Sequence, residues 1–236
     1  MAVAGALGFD KCGFCISASE VTRMVRKIAE KIPDKVVQED LEKYRKTAIE
    51  LGATDVKIIT TDLIEIDEGV RAKCVHPLCN RYGSNANCPP YAPDLDFMRR
   101  VVCNFRYALF SKLETPAESL AGPVADEKRL WVPYFRKINE IVAKIEAEAF
   151  YDGYYKAMAF GCGSCKGLYC PEVECSALIP GQSCRFPLKA RASMEGVGMN
   201  VYSMATKIGW DIYPVGISTK PSEVPFGVVL GIVLIY

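Results

Sequence analysis

Two groups of cysteines, each in a stretch without helix or strand periodicity, constrain the fold of this chain more than any other feature. The first group is Cys74-x4-Cys79-x8-Cys88, within residues 71–94. The second group lies within residues 161–187 and consists of Cys162, Cys165, Cys170, Cys175 and Cys184. Closely spaced thiols in irregular segments can converge on one point at a small cost in chain entropy, whereas helix or strand geometry aims successive side chains apart.

The cysteine count argues for metal binding rather than disulfides. The chain has 11 cysteines and one histidine, and an odd number does not suit a complete disulfide framework. The N-terminal segment Met1–Gly8 lacks the basic residues and the length of a secretory signal. We therefore expect a cytoplasmic protein with reduced thiols, in which clustered cysteines indicate a metal site or catalysis.

Iron–sulfur clusters are the metal centres that this pattern favours. Proline directly follows Cys88 and Cys170, as it follows a ligand in ferredoxin-type motifs, and four cysteines are the usual ligand set of a 4Fe–4S cluster. Zinc is the alternative, because Cys12-x2-Cys15 and the pair at 162 and 165 have the spacing of zinc knuckles. The sequence thus predicts 4Fe–4S clusters, two in number, with zinc left open.

The motifs also resemble those of a prokaryotic family described as predicted metal-binding proteins, a domain of unknown function. The resemblance covers roughly Arg71 to Pro214. It is carried by Cys74, Cys79, Tyr82-Gly83, Cys88-Pro89-Pro90-Tyr91, Gly161-Cys162-Gly163-Ser164-Cys165, Cys184-Arg185-Phe186-Pro187 and Ala190–Glu195. It implies metal-ligand roles for seven cysteines: Cys74, Cys79, Cys88, Cys162, Cys165, Cys170 and Cys184.

The chain departs from that family pattern at two places. The spacing between Cys165 and Cys184 is expanded, with Cys175 inserted, so either Cys170 or Cys175 is the third ligand of the second motif. The N-terminal Cys12-x2-Cys15 pair is additional. It is a candidate for completing the first site, which otherwise has three thiolates.

Alternating helix and strand patterns predict the α/β (α+β) class, a single domain over 1–236 with a mixed sheet flanked by helices. The predicted helices are Glu20–Lys31, a helix from Asp34 that ends at Gly52, Asp126–Phe150 with its regular part from Pro133, and Met194–Ile208 capped by Ser193. The predicted strands are Val56–Thr60 with a possible continuation over Leu63–Ile66, Phe105–Ser111, Tyr154–Phe160, Asp211–Val215 and Phe226–Tyr236.

Several residues near the motifs have two interpretations. Cys103 precedes an apolar strand, which favours a core position over a ligand role. His76 lies inside the first motif, and a surface or outer position is favoured over ligation. Lys166, Arg185 and Arg191 are expected in solvent, although each is also a candidate donor to cluster sulfurs or to an anionic substrate.

Composition excludes several classes of function. The net charge of +1 provides no basic field for nucleic acid or an anionic membrane. The apolar run Val228–Tyr236 is far shorter than the roughly 20 residues of a spanning helix, so we expect a buried strand there and no membrane partner. No phosphate-binding loop is present, and Gly161-Cys162-Gly163 lacks the third glycine of a dinucleotide site.

Three functions remain, in this order. The first is an electron carrier or redox subunit in anaerobic metabolism, with a redox protein as partner. The second is an enzyme in which three thiolates, Cys74, Cys79 and Cys88, leave one iron open to a small-molecule substrate, for sulfur removal or a dehydration-like reaction. The third is a structural zinc module that mediates interactions.

Overall fold

A four-stranded antiparallel sheet forms the centre of the molecule in the computed structural model, which describes residues 25–236. The strands are β1 (Asp55–Thr60), β2 (Tyr107–Thr115), β3 (Met158–Phe160) and β4 (Gly227–Leu234). Their order across the sheet is β1-β2-β4-β3. The strand nearest the C-terminus is therefore an inner one, which explains why it is almost entirely apolar.

Seven α-helices accompany the sheet among the described residues. They are α1 (Asp34–Glu50), α2 (Glu68–Ala72), α3 (Leu95–Val102), α4 (Pro123–Glu127), α5 (Val132–Tyr151), α6 (Cys165–Tyr169) and α7 (Val201–Lys207). The two long helices, α1 and α5, contact each other and the sheet. No helix among these residues combines the length and apolar character that crossing a membrane requires.

Each face of the sheet carries its own hydrophobic core. On one face, β4 contributes Val229 and Val233 to a cluster with the buried sides of α1 and α5. On the other face, Leu230, Ile232 and Leu234 pack with a methionine-rich cluster that includes residues of α3 and α7. The alternation follows from the two-residue period of a strand, and it fixes the register of β4 between the two layers.

The structure confirms the α+β class and the main predicted elements. The predicted apolar stripe of α1, Val37, Leu41, Tyr44 and Ala48, is fully buried. Helix α5 begins at Val132, with proline in its first turn, which is the regular start that the sequence indicates. All described strand pairs are antiparallel, however, so the sheet is not mixed.

The predicted helix over Met194–Ile208 is interrupted. A 3-10 turn covers Glu195–Val197, Gly198 then adopts a left-handed backbone at φ +87, and α7 starts afresh. The cap of α7 is Asn200 and not Ser193, since the Asn200 side chain accepts a hydrogen bond from the Ser203 amide at 3.0 Å. The left-handed glycine cannot continue a helix, which is the physical reason for the break.

Three further predictions on secondary structure are wrong within the described residues. Leu63–Ile66 forms no strand beyond an isolated bridge between Ile66 and Met199. Asp211–Val215 is irregular, and residues 25–31 are not helical; the rest of the predicted helix from Glu20 lies outside the described residues. Ile212 packs against the methionine-rich core, so the apolar character of this segment reflects packing without strand pairing.

Candidate metal centre

The two cysteine segments meet at Asn85, a fully buried residue of the first segment. Its amide nitrogen donates to the Ser164 hydroxyl at 3.1 Å, and its amide oxygen accepts from the Cys165 thiol at 3.4 Å. Asn87 also reaches across, donating to the Cys165 sulfur at 3.4 Å. Two asparagines thus join the segments, although no periodicity in the sequence singles them out.

The end of β3 places the second segment against the sheet. Gly161 follows β3 directly, donates from its amide to the Ala192 carbonyl at 2.9 Å and accepts from the Met194 amide at 3.0 Å. A β-carbon at Gly161 would lie 1.9 Å from the Asn139 side-chain oxygen, so only glycine allows Asn139 of α5 to approach. Asn139 in turn donates to the carbonyl of Cys162 at 3.1 Å.

A cavity of about 370 Å³ collects the cysteines of the first segment together with one from the second. The cysteines in its lining are Cys74, Cys79, Cys88 and Cys162. Glu195 lines the same cavity. Cys162 therefore lies with the first motif in space, although it belongs to the second motif in sequence.

A second, smaller cavity contains the remaining cysteines of the second segment. Its lining includes Cys165, Cys170, Cys175 and Cys184, together with Asn85. Cys170 and Cys175, which the sequence presents as alternatives, both belong to this lining. The cavity measures about 20 Å³, which is the space of about one water-sized sphere.

Amide donors point at several of the sulfurs. The Arg81 amide donates to the Cys79 sulfur at 3.5 Å, and the Phe186 amide donates to the Cys184 sulfur at 3.4 Å. The Asn139 side chain lies 3.8 Å from the Cys162 sulfur as a further donor. Hydrogen bonds of this kind favour the thiolate over the thiol, because they stabilise the charged form.

Comparison with protein families decides the membership of this chain. The family model described as "Predicted metal-binding protein (DUF2284)" matches residues 57–234, which include both cysteine segments. The chain belongs to this family. The comparisons with curated proteins and with solved structures gave no match.

Membership in a predicted metal-binding family makes the protonation of the thiols the central electrostatic question. Burial raises the pKa of Cys74 and Cys162, and it raises the pKa of Cys165 to about 11. Neighbouring thiolates add to this: Cys88 raises the pKa of both Cys74 and Cys165. Deprotonating these side chains together is costly unless a positive centre offsets their charge, as a metal does.

Each cavity has four cysteines in its lining, which is the number of thiolate ligands that a 4Fe–4S cluster takes. The first cavity is roomy, whereas the side chains around the second must move outward to enclose a four-iron cluster. Across residues 25–236, no three cysteine, histidine or acidic side chains converge closely enough to hold a single metal ion. Cys12 and Cys15 lie outside the described residues.

The other predicted residues are either exposed and outside both cysteine cavities, or bonded to other groups of the protein. Cys103, expected in the core, is exposed at the C-terminal end of α3, and His76 is exposed and lines neither cysteine cavity. Lys166 and Arg185 line the second cavity but donate to backbone carbonyls, of Cys170 at 3.2 Å and of Glu174 at 2.6 Å. The Arg191 guanidinium is paired with the Glu146 carboxylate, with Nε at 2.8 Å, so it is not a solvated side chain.

Glu195 is the acidic residue in the first cavity. Burial raises the pKa of its carboxyl, and a hydrogen bond with Ser193 acts in the opposite direction. The carboxyl lines the same cavity as Cys74 and Cys162, and its charge raises the pKa of both thiols. A carboxyl beside this set of thiols is a further potential oxygen ligand, and its only signal in the sequence is its place in the motif Ala190–Glu195.

Proposed function

We propose that this protein holds two 4Fe–4S clusters and transfers electrons between them and a redox partner protein. The observation that carries the proposal is the division of eight cysteines, four and four, between two neighbouring cavities. A cluster in each would supply reversible one-electron chemistry at a potential set by burial and hydrogen bonds to sulfur. A role as a redox subunit in anaerobic metabolism, in the cytoplasm, follows from the reduced state that such thiols need.

The proposed ligand sets do not correspond to the two cysteine segments of the sequence, because Cys162 of the second segment lines the first cavity. Cys74, Cys79, Cys88 and Cys162 would hold the first cluster. Cys165, Cys170, Cys175 and Cys184 would hold the second. In this arrangement the N-terminal Cys12-x2-Cys15 pair is not needed to complete either site.

The two proposed sites adjoin each other, because Ser164 lines the first cavity and its neighbour Cys165 lines the second. The Cys88 thiolate acts on the pKa of Cys74 in one site and of Cys165 in the other. The Cys88 sulfur also lies 3.5 Å from the hydroxyl of Ser164, the neighbour of Cys165. A direct path of bonded and hydrogen-bonded atoms between adjacent cofactors is what a two-cluster electron carrier requires.

An enzyme with an open iron at the first site is the second candidate. It is favoured by the origin of Cys162, the one cysteine of that cavity that comes from the second segment. If Cys162 is not a ligand, the first cluster keeps three thiolates and one iron accepts a substrate. Sulfur removal or a dehydration-like reaction would then be its chemistry.

Structural zinc is the third candidate, because four cysteines are also a complete zinc ligand set and the second cavity is small. These thiols would have to draw closer together to hold a single ion. Metal analysis separates this candidate from the first two, because zinc sites contain no acid-labile sulfide and do not absorb visible light.

The test is a set of single cysteine substitutions in protein purified without oxygen. Cys162→Ser should remove the first cluster and Cys175→Ser the second, so each variant should retain about half of the iron and sulfide. Cys103→Ser is the matched control, because Cys103 is exposed and lines neither cavity, and it should retain all of both. Reduction by dithionite followed by EPR should give two interacting signals in the parent protein and one isolated signal in each cluster variant.

Two results would contradict parts of this assignment. If Cys162→Ser keeps its full iron content, Cys162 is not a ligand and the open-iron enzyme becomes the better account. If no variant gains an EPR signal on reduction although iron and sulfide are present, the clusters are redox-silent and electron transfer is wrong.

A further inference from the structure

A third cavity, of about 590 Å³, shares part of its wall with the first cysteine cavity. The shared residues include Arg81, Phe135, Ser164 and Tyr202. The volume falls within the range of about 300–1,000 Å³ that is typical of sites for small molecules. No part of the electron-transfer proposal uses this cavity.

Two guanidinium groups and an indole ring surround Gly167 at the wall of this cavity. A β-carbon at Gly167 would lie 3.7 Å from the Nε and Nη2 atoms of Arg81, and equally 3.7 Å from Cη2 of Trp131. Arg129 donates to the Gly167 carbonyl, and its guanidinium carbon lies 5.5 Å from the Trp131 ring centroid. A β-carbon at Gly167 would make ordinary van der Waals contact with both side chains, so Arg81 and Trp131 lie on either side of this residue.

The N–H groups of the Arg81 guanidinium are available to bind a ligand. Arg81 is half-buried, and its side chain makes no hydrogen bond or ion pair with any residue of the described range 25–236. The acidic residues in the lining, Asp126 and Glu127, are exposed, so they belong to the rim of the cavity. A half-buried guanidinium without a partner is a strong site for a carboxylate, which it can bind through two parallel hydrogen bonds.

Aromatic rings form much of the remaining wall. Trp131 and Phe135 pack with ring centroids 5.1 Å apart, and Tyr202 and Tyr213 also line the cavity. Flat apolar surfaces of this kind bind rings and other unsaturated groups by stacking and by burial of apolar area. The cavity thus offers two cations, Arg81 and the already bonded Arg129, beside aromatic surfaces.

We infer that this cavity binds a small organic carboxylate with a planar, unsaturated body. The carboxylate would be anchored by Arg81, with Arg129 as a second cation, and the planar body would lie against Trp131 and Phe135. Because the wall with Arg81, Phe135 and Ser164 is shared, the bound molecule would lie beside the first cysteine cavity. The inference concerns binding alone, and it rests on the cavity and not on the identity of any metal.

The test uses 4-fluorobenzoate as a probe, with fluorine NMR on the full-length protein as purified without oxygen. We expect saturable binding, and we expect Arg81→Gln to weaken it about tenfold or more, since a hydrogen bond to a charged group contributes about 1.5–3 kcal/mol. Arg81→Lys should restore part of the affinity by returning the charge without the planar fork. Arg129→Gln should weaken binding to a smaller extent, because this guanidinium is already bonded to Gly167.

Two controls separate this site from general attraction of anions. Arg100→Gln removes the same charge from an exposed position outside the cavity and should leave the affinity unchanged. The neutral probe 4-fluorobenzyl alcohol should bind the parent protein about tenfold more weakly than the acid. The readout needs no iron, so a failure here is distinct from a failure of the cluster proposal.

The inference would be overturned by any of three results: no saturable binding of 4-fluorobenzoate, equal affinity of the parent protein and Arg81→Gln, or equal binding of the acid and the alcohol. Circular dichroism of Arg81→Gln and Arg81→Lys shows whether each variant is folded. If Arg81→Gln does not fold, the comparison of the two probes on the parent protein decides the question.

Discussion

Gly161 shows how one residue without a side chain sets the position of a proposed ligand. It lies between β3 and Cys162, and Asn139 occupies the space where a side chain would be. We expect Gly161→Ala to lower the free energy of unfolding by about 1–3 kcal/mol, because overpacking a closed site forces the backbone or Asn139 to move. Urea denaturation measures this loss.

The matched control for Gly161→Ala is Gly216→Ala. A β-carbon at Gly216 would meet nothing within 4 Å, so this substitution should leave stability within about 0.5 kcal/mol of the parent. Equal stabilities of the two variants would mean that Asn139 does not depend on the space at Gly161.

Tyr44 gives a prediction on pH dependence. Burial raises the pKa of its hydroxyl, and a hydrogen bond of 2.7 Å to the Asp152 carboxylate adds to the shift. Above about pH 10 the unfolded chain releases this proton while the folded protein keeps it, so stability falls as the pH rises further. Below that pH the contribution is fully present.

Tyr44→Phe tests this linkage by removing the proton. The variant should be less stable than the parent by about 1–3 kcal/mol near neutral pH, since a buried hydrogen bond to a charged group is lost. Above about pH 10, the stability of the parent should fall with pH more steeply than that of the variant. The two slopes should differ by about 1.4 kcal/mol per pH unit. Urea denaturation across that range measures both, with Tyr155→Phe at an exposed position as the control; parallel curves for Tyr44→Phe and the parent would refute the linkage.

At the scale of elements, α7 begins after the break that left-handed Gly198 causes, and its first turn depends on a side-chain cap. Asn200 caps α7 by accepting from the Ser203 amide, and it also donates to the Asp67 carboxylate at 3.2 Å. Asn200→Ala should cost about 0.5–2 kcal/mol, because the first turn loses its cap. Thermal unfolding measures the loss, with Asn80→Ala at an exposed position as the control; a midpoint of Asn200→Ala identical to that of the parent would show that the cap is not needed.

Helices with long amphipathic stripes could be predicted from the sequence, and short elements could not. Helices α1 and α5 each carry a periodic apolar stripe that is long enough to predict the helix from the local sequence. By contrast, the helices α2 and α6 have five residues each, too few to show an apolar period. The strand predicted over Tyr154–Phe160 is found, but only its last three residues pair with β4. Such elements depend on tertiary contacts that no local pattern contains.

For the candidate site, too, one part could be predicted from the sequence and another part could not. The cysteine segments are visible in the sequence because thiols in irregular, closely spaced positions have few other uses. Their distribution in space is not visible, because Cys162 and Cys165 are three positions apart and line different cavities. Helix α6 begins at Cys165, so the chain changes direction between the two residues.

At the scale of the whole molecule, the sheet and its two cores form a rigid support for the cysteine segments. Residue 161 continues from β3, which pairs with the inner strand β4, and Met194 and Met199 anchor the returning chain in the methionine-rich core. Gly161 and Met194, at the two ends of the second segment, are therefore held by the sheet and the core, while Cys165 begins helix α6. Fixing the ends of the segment lowers the conformational entropy that is lost when a cofactor binds.

The most direct test of the central claim is the iron, acid-labile sulfide and zinc content of the full chain purified without oxygen. The account predicts about eight iron and eight sulfide per chain, four of each for every cluster, with visible absorption and no stoichiometric zinc. A colourless, folded protein with zinc and no sulfide, or with no metal at all, would contradict it.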